Sequence, residues 1–143
     1  MMNLTEKQRA FLEQNRSAAM ITVARDGSPR VVRVGVAVVD GQLWSSGTHG
    51  RVRTKRLRRD PRCTLFVFDP GYSWLALDTR VQILDGPDVP DLSVRLFRRM
   101  QNRPTGPLTW FGRELDTEAF RQTLVDDRRL IYQFGIVRGY GLS

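Results

Sequence analysis

The sequence predicts an α+β fold, an antiparallel β-barrel of about six strands with peripheral helices, and three observations carry that expectation. About six β-prone segments run through the chain, and several are joined by tight turns built on Asp-Gly or Asp-Pro-Gly. Segments with helical spacing of apolar residues lie between groups of strands, without the regular strand–helix alternation of a parallel sheet. At 143 residues the chain can bury one core and is short for two, so residues 1–143 are expected to form a single domain.

Taken in order, Thr5-Glu6-Lys7-Gln8 has the form of a capping box, and a helix should follow to about Asn15 with Leu4, Phe11 and Leu12 facing the body. Residues 18–24 form a small-to-β-branched run that ends in Arg25-Asp26-Gly27-Ser28, a strong hairpin signal. The second strand is read over Pro29 to Val39. Arg30, Val32, Val34, Val36 and Val38 alternate there with Val31, Arg33, Gly35, Ala37 and Val39. Both faces are apolar in its second half, which suits a central barrel strand. Asp40-Gly41 turns the chain into a third strand over residues 42–46.

A short basic helix follows and is stopped by Asp60-Pro61. Residues 63–68 and 74–84 read as two more strands about the turn Asp69-Pro70-Gly71-Tyr72, the second with a bulge near Asp78-Thr79. Asp85-Gly86-Pro87-Asp88 breaks the β pattern, and residues 89–100 carry Leu92, Leu96 and Phe97 at helical spacing. Residues 102–107 are a loop by their Pro and Gly content, and Trp110-Phe111-Gly112-Arg113 is placed to cover a pocket or to pack on a neighbouring subunit. Leu115-Asp116-Thr117-Glu118 caps a helix through Leu124 with Phe120 on its inner face, and residues 129–138 form the last strand.

The chemistry concentrates between Ser45 and Arg62. Small hydroxylated residues and Gly47 and Gly50 lead from a strand into the basic helix Val52-Arg53-Thr54-Lys55-Arg56-Leu57-Arg58-Arg59. Hydroxyls, backbone N–H groups, a helix N-terminus and flexible cations together favour a multiply charged anion. A charge run of this kind, with Arg51, Lys55 and Arg59 on one helical face, is more often a solvated surface.

Composition narrows the alternatives. With 41% hydrophobic and 27% charged residues the sequence reads as globular. No apolar run reaches the ~20 residues of a membrane span, and no secretory leader is apparent, so a cytoplasmic location is expected. One cysteine, Cys63, excludes an intrachain disulfide, and one histidine, His49, leaves no histidine cluster for a metal. The net charge of +8 raises nucleic acid as a partner, yet only Lys7 and Lys55 are lysines, and no helix-turn-helix or aromatic-basic motif accompanies the arginines. A solvated arginine-rich surface is the better reading.

With the meander Asp26-Gly27-Ser28-Pro29-Arg30-Val31-Val32, the turn Asp40-Gly41-Gln42-Leu43-Trp44 and the segment Arg53-Thr54-Lys55-Arg56-Leu57-Arg58-Arg59-Asp60-Pro61-Arg62, the chain resembles the flavin/deazaflavin oxidoreductase split β-barrel proteins typified by pyridoxamine 5'-phosphate oxidase. The basic segment is most similar to the actinobacterial branch that uses coenzyme F420, a deazaflavin. The resemblance implies a split barrel of six antiparallel strands, the FMN-binding split barrel fold, and a homodimer with the cofactor at the subunit junction. It implies that Arg53 and Lys55 approach the cofactor phosphate, with Ser46, Thr48 and the loop through Arg51 lining it. Val32, Arg33 and Val34 would lie against the ring.

The expected function is an oxidoreductase that binds F420 and passes hydride to a conjugated organic substrate. The alternatives are an FMN-dependent enzyme of the pyridoxamine-phosphate-oxidase type and a non-catalytic flavin or deazaflavin carrier. Paired carboxylates at catalytic spacing and a nucleophile motif are missing from the sequence, which fits chemistry carried by a cofactor ring. Trp74, after a turn, is the candidate wall of a substrate pocket, with Tyr72 and His49 as polar neighbours. Trp44 is assigned to the core. No catalytic residue is singled out.

Overall fold

A computed structural model describes residues 3–142. The first helix, α1 (Glu6–Gln14), begins at the capping box read from the sequence. The Gln8 N–H donates to Thr5 Oγ1 at 3.1 Å, and the Thr5 N–H donates to Gln8 Oε1 at 3.0 Å. Phe11 and Leu12 are buried on its inner face, and Leu4 packs with them.

Strands β1 (Ser17–Val23), β2 (Pro29–Gly35), β3 (Ala37–Val39) and β4 (Gln42–Thr48) follow. Helix α2 (Val52–Arg59) leads to β5 (Arg62–Phe68) and β6 (Trp74–Leu84). Then come α3 (Val89–Gln101), a small ribbon of β7 (Leu108–Trp110) and β8 (Arg113–Leu115), α4 (Thr117–Asp126) and β9 (Arg129–Gly141).

Seven strands form one antiparallel sheet in the order β2-β1-β5-β6-β9-β4-β3. Its two edges, β2 and β3, are separated in the chain by Val36 alone. A sheet whose opposite edges are joined by one residue must curl on itself, and the barrel follows from that connection. The Val36 N–H donates to the Arg16 carbonyl at 2.8 Å, and Ser45 Oγ donates to the Gly35 carbonyl at 2.6 Å, which pins the corner. The continuous central strand expected over Pro29 to Val39 is therefore corrected to two edge strands. Its alternation is kept: Val34, Val36 and Val38 face the barrel core, while Ala37 and Val39 meet Leu96 of α3. Both faces are apolar at β3 because a helix covers the outer one.

Turn chemistry agrees with the sequence. Asp40 and Gly41 both have positive φ, 49° and 76°, the pair that a two-residue hairpin turn requires. The register of β6 against β9 shifts between Asp78 and Thr79, where the bulge was expected. Asp116 caps α4, accepting from the Ala119 N–H at 2.8 Å. The segment around Trp110 differs from expectation. Phe111 and Gly112, at φ 47° and 80°, close the β7–β8 ribbon, and Trp110 packs edge-on to Phe97 and Phe120. That cluster joins α3, α4 and the ribbon into a second layer beside the barrel.

Candidate anion and ring groove

The site grows from the junction of β4 and α2. Arg51 is the N-cap residue of α2, with extended backbone and no side-chain cap, so the first helical N–H groups are left for another acceptor. From the inner face of α2, Thr54 and Leu57 enter the core. Thr54 Oγ1 donates to the Thr48 carbonyl at 2.7 Å and meets the Tyr132 hydroxyl. Since the Thr54 hydroxyl proton goes to Thr48, the Tyr132 hydroxyl is the donor of the second bond. Tyr132 is fully buried, and a Cβ on Gly47 would overlap its ring. A glycine at this strand position lets the phenol lie under the loop that leads into the helix.

Arg53 sits over this buried network. Burial lowers its pKa, neighbouring Arg51 and Arg129 push in the same direction, and the Tyr132 phenol opposes them. Its Nε is buried with no hydrogen-bond partner. Among the described residues, no ion pair involves Arg30, Arg51, Arg53, Lys55 or Arg56. A half-buried guanidinium with an unpaired N–H, flanked by Arg51 and Arg129 and without a carboxylate partner among the described residues, is stabilised by an arriving anion.

Beside it lies a groove of about 350 Å³. One wall is β2, residues 30–32; the other is residues 50–53 with Arg56, and Thr22 lies between. Val31 and Val52 are both exposed and give the groove apolar lips. Cations at one side and aliphatic strand surface at the other suit a ligand with a phosphate and a flat ring.

Of the residues singled out from the sequence, Arg51, Arg53 and Val32 come together in this groove. Lys55 is exposed on α2, Val34 is buried in the barrel core, and Arg33 is exposed on the outer face of β2 within 3.4 Å of Ser17 Oγ. None of the three lines the groove. Ser46 and Thr48 are half-buried on β4, and Ser46 Oγ is approached by Arg129 Nη1 at 3.5 Å. The His49 N–H donates to the Arg128 carbonyl at 3.2 Å. Tyr72 and Trp74 line a separate cavity of about 420 Å³ with Lys7 and Gly141, so the protomer does not join them to the groove.

Sequence reasoning missed Tyr132, Gly47 as a packing requirement, and Arg129. Arg129 is held by Asp127 at 2.7 Å and stacks over the Trp110 ring at 5.1 Å. No local motif marks it, because apart from Asp127 its partners come from β4 and from the ribbon. Cys63 is buried, and burial pushes its thiol up to about 12, which makes it a packing residue. Among the described residues no three His, Cys, Asp or Glu side chains are placed to hold a metal, and no helix is long and apolar enough to cross a membrane.

An antiparallel sheet curled into a barrel, with a basic helix entered from its fourth strand and an open groove against its second, defines the split-barrel class of flavin- and deazaflavin-binding proteins. The pyridoxamine 5'-phosphate oxidase family model matches residues 4–122, and the chain belongs to that family. Among solved structures, a conserved hypothetical protein of Mycobacterium tuberculosis superposes with a TM-score of 0.72 at 20% identity, over 96% of this chain and 84% of its own. An F420 reductase gives 0.71 at 22% identity over 96% and 98%. A candidate pyridoxamine 5'-phosphate oxidase of Listeria innocua gives 0.66 at 14% identity over 96% of each. At these identities the structures share the fold with this chain.

Proposed function

We propose that this protein is an oxidoreductase that binds coenzyme F420 and moves hydride between it and a conjugated organic substrate. The observation that carries the reading is the half-buried Arg53, whose Nε lacks a partner beside an apolar-lipped groove. The residues present fit such a cofactor: Arg53 and Arg51 would hold its phosphate, with the uncapped first turn of α2, and Val31 and Val32 would support the ring. When bound, the cofactor supplies the hydride chemistry through its ring. The chain's own part is to anchor the phosphate, orient the ring along β2 and keep water from one of its faces. The solved F420 reductase favours the deazaflavin, and FMN is the second reading, favoured by the family's oxidase description.

A homodimer accompanies this reading. One outer face of the sheet carries Ile21, Phe66, Phe68, Trp74 and Tyr140, and several of these are well exposed. Phe66 stacks on Trp74 at 5.6 Å, with Tyr140 edge-on to Trp74 at 6.4 Å. A second copy on this face would cover the aromatic patch and could bring its Tyr72 and Trp74 toward this chain's groove as the substrate wall. A cytoplasmic setting suits a chain with one cysteine.

Titration with F420 and with FMN, following tryptophan fluorescence, tests the reading. Tighter binding of F420, lost in the Arg51→Ala/Arg53→Ala double variant, is the expected result. Preference for FMN moves the assignment to the second reading. Unchanged affinity in the double variant rules out the phosphate anchor.

A further inference from the structure

A larger cavity lies away from the groove on β2. It measures about 780 Å³ and opens between α1, the β3–β4 turn and the C-terminal end of α3. Six arginines line it: Arg9, Arg16, Arg95, Arg98, Arg99 and Arg103. Glu13 and Asp40 are the carboxylates of the lining, and Val38, Val39 and Pro104 provide an apolar floor. We propose that this cavity is a second anion site, which takes a small, multiply charged oxyanion such as a phosphate ester or a polycarboxylate.

Arg16, Arg95 and Arg99 are held in position and still have donors to give. Arg99 Nε donates to the Val38 carbonyl at 3.0 Å, Arg16 Nη1 donates to the Arg99 carbonyl, and Arg95 pairs with Asp40. Each of these guanidiniums uses a single donor in these contacts, out of the five N–H groups that a guanidinium carries. The other donors are left for a ligand. Arg98 is fixed more fully, by the carbonyls of Arg103 and Gly106 and by Thr117 Oγ1, and Arg103 is held by Glu114 at 2.8 Å. Side chains already ordered by the protein lose less entropy when they clamp an anion.

The C-terminus of a helix would ordinarily repel an anion. At the end of α3 that repulsion is blunted. The Arg98 carbonyl accepts from the Asn102 and Arg103 N–H groups, and the Arg99 carbonyl accepts from Asn102 and from Arg16. Arg98 and Arg99 themselves add positive charge to that last turn. A lining whose cations are all arginine favours planar or tetrahedral oxyanions that accept two parallel N–H bonds, and the cavity volume lies in the usual range for small ligands.

Calorimetric titration with pyrophosphate and with citrate, at constant ionic strength, tests the proposal on the full chain. The Arg53→Ala variant serves as the starting protein, so that the groove on β2 does not contribute. One saturable site should persist in it for at least one of the two probes. Adding Arg95→Ala and Arg103→Ala should weaken that site about tenfold or more. The Arg95→Lys/Arg103→Lys pair, which keeps the charge and loses the fork, should weaken it less than the alanine pair. Tighter pyrophosphate identifies a phosphate compound, and tighter citrate identifies a polycarboxylate. No saturable binding in the Arg53→Ala protein, or an affinity untouched by both pairs, overturns the proposal.

Discussion

Replacing Arg53 by methionine should move stability and ligand binding in opposite directions. The guanidinium is half-buried, Nε has no partner, and its charged neighbours Arg51 and Arg129 are of the same sign. An unsatisfied buried donor costs about 1–3 kcal/mol, and the lower end applies because solvent reaches part of the group. Methionine keeps the apolar stem against α2 and removes that cost. The ligand-free variant should therefore be more stable by about 1 kcal/mol, or roughly 3 °C in melting temperature for a chain of this size. Two charge-assisted bonds to a phosphate are lost at the same time, so the F420 or FMN affinity should fall by about 10- to 100-fold. Differential scanning calorimetry without ligand and fluorescence titration with ligand read the two effects separately. A variant that melts well below the parent, or that binds both cofactors as tightly, refutes the reading of Arg53 as a cation left unpaired for an anion.

Other substitutions probe the scaffold. Gly47→Ala drives a methyl group into the Tyr132 ring and should cost about 1–3 kcal/mol in urea unfolding, whereas Gly50→Ala, which meets open space, should not. Tyr132→Phe removes the donor to Thr54 from a fully buried position and should cost about 1 kcal/mol, with weakened cofactor binding because α2 loses a support of its first turn. Trp74→Glu places a charge in the exposed aromatic patch and, with the proposed homodimer, should shift sedimentation from dimer to monomer without lowering the melting temperature of the monomer. The Asp60 carboxylate, lowered to about 2 by its hydrogen bonds and charge contact with Arg62, gives a small stabilisation that is present above its ordinary range near 3.8. That contribution should fade as pH falls through about 2, and Asp60→Asn should flatten the acid end of the stability profile.

The fold was legible wherever a local rule determined the outcome. The capping box at Thr5, the Asp40-Gly41 turn, the bulge at Asp78-Thr79 and the cap at Asp116 all rest on contacts within a few residues. The second strand was harder, because alternation reports which faces are covered and not which neighbours a strand has. Val32 to Val38 alternate in the same way whether the strand is central or is cut at Val36 and shared between two edges. The β7–β8 ribbon was missed because its three-residue strands are too short for periodicity and its turn begins with Phe111, an unusual residue at positive φ. Arg51, Arg53 and Val32, which share the candidate groove, were legible because they stand in a recognisable segment or beside its expected partner. Tyr132 and Arg129 reach it only through the pairing of β4 with β9, a long-range fact that no window of sequence contains.

That pairing also explains why the basic helix holds its place. An eight-residue helix with five Lys or Arg side chains is a poor independent structure, since like charges repel along it and its apolar face is reduced to a few positions. Its order comes from Leu57 in the barrel core and from the chain of bonds from Tyr132 through Thr54 to Thr48. Apart from Arg58, which pairs with Asp85, the cations are thus fixed by contacts on the far side of the helix and not by acidic partners on their own. A surface built for solubility alone would interleave carboxylates among them. Among the described residues Arg53, Lys55 and Arg56 form no ion pair, which costs stability and is the arrangement expected of a ligand anchor and not of a structural ion-pair network.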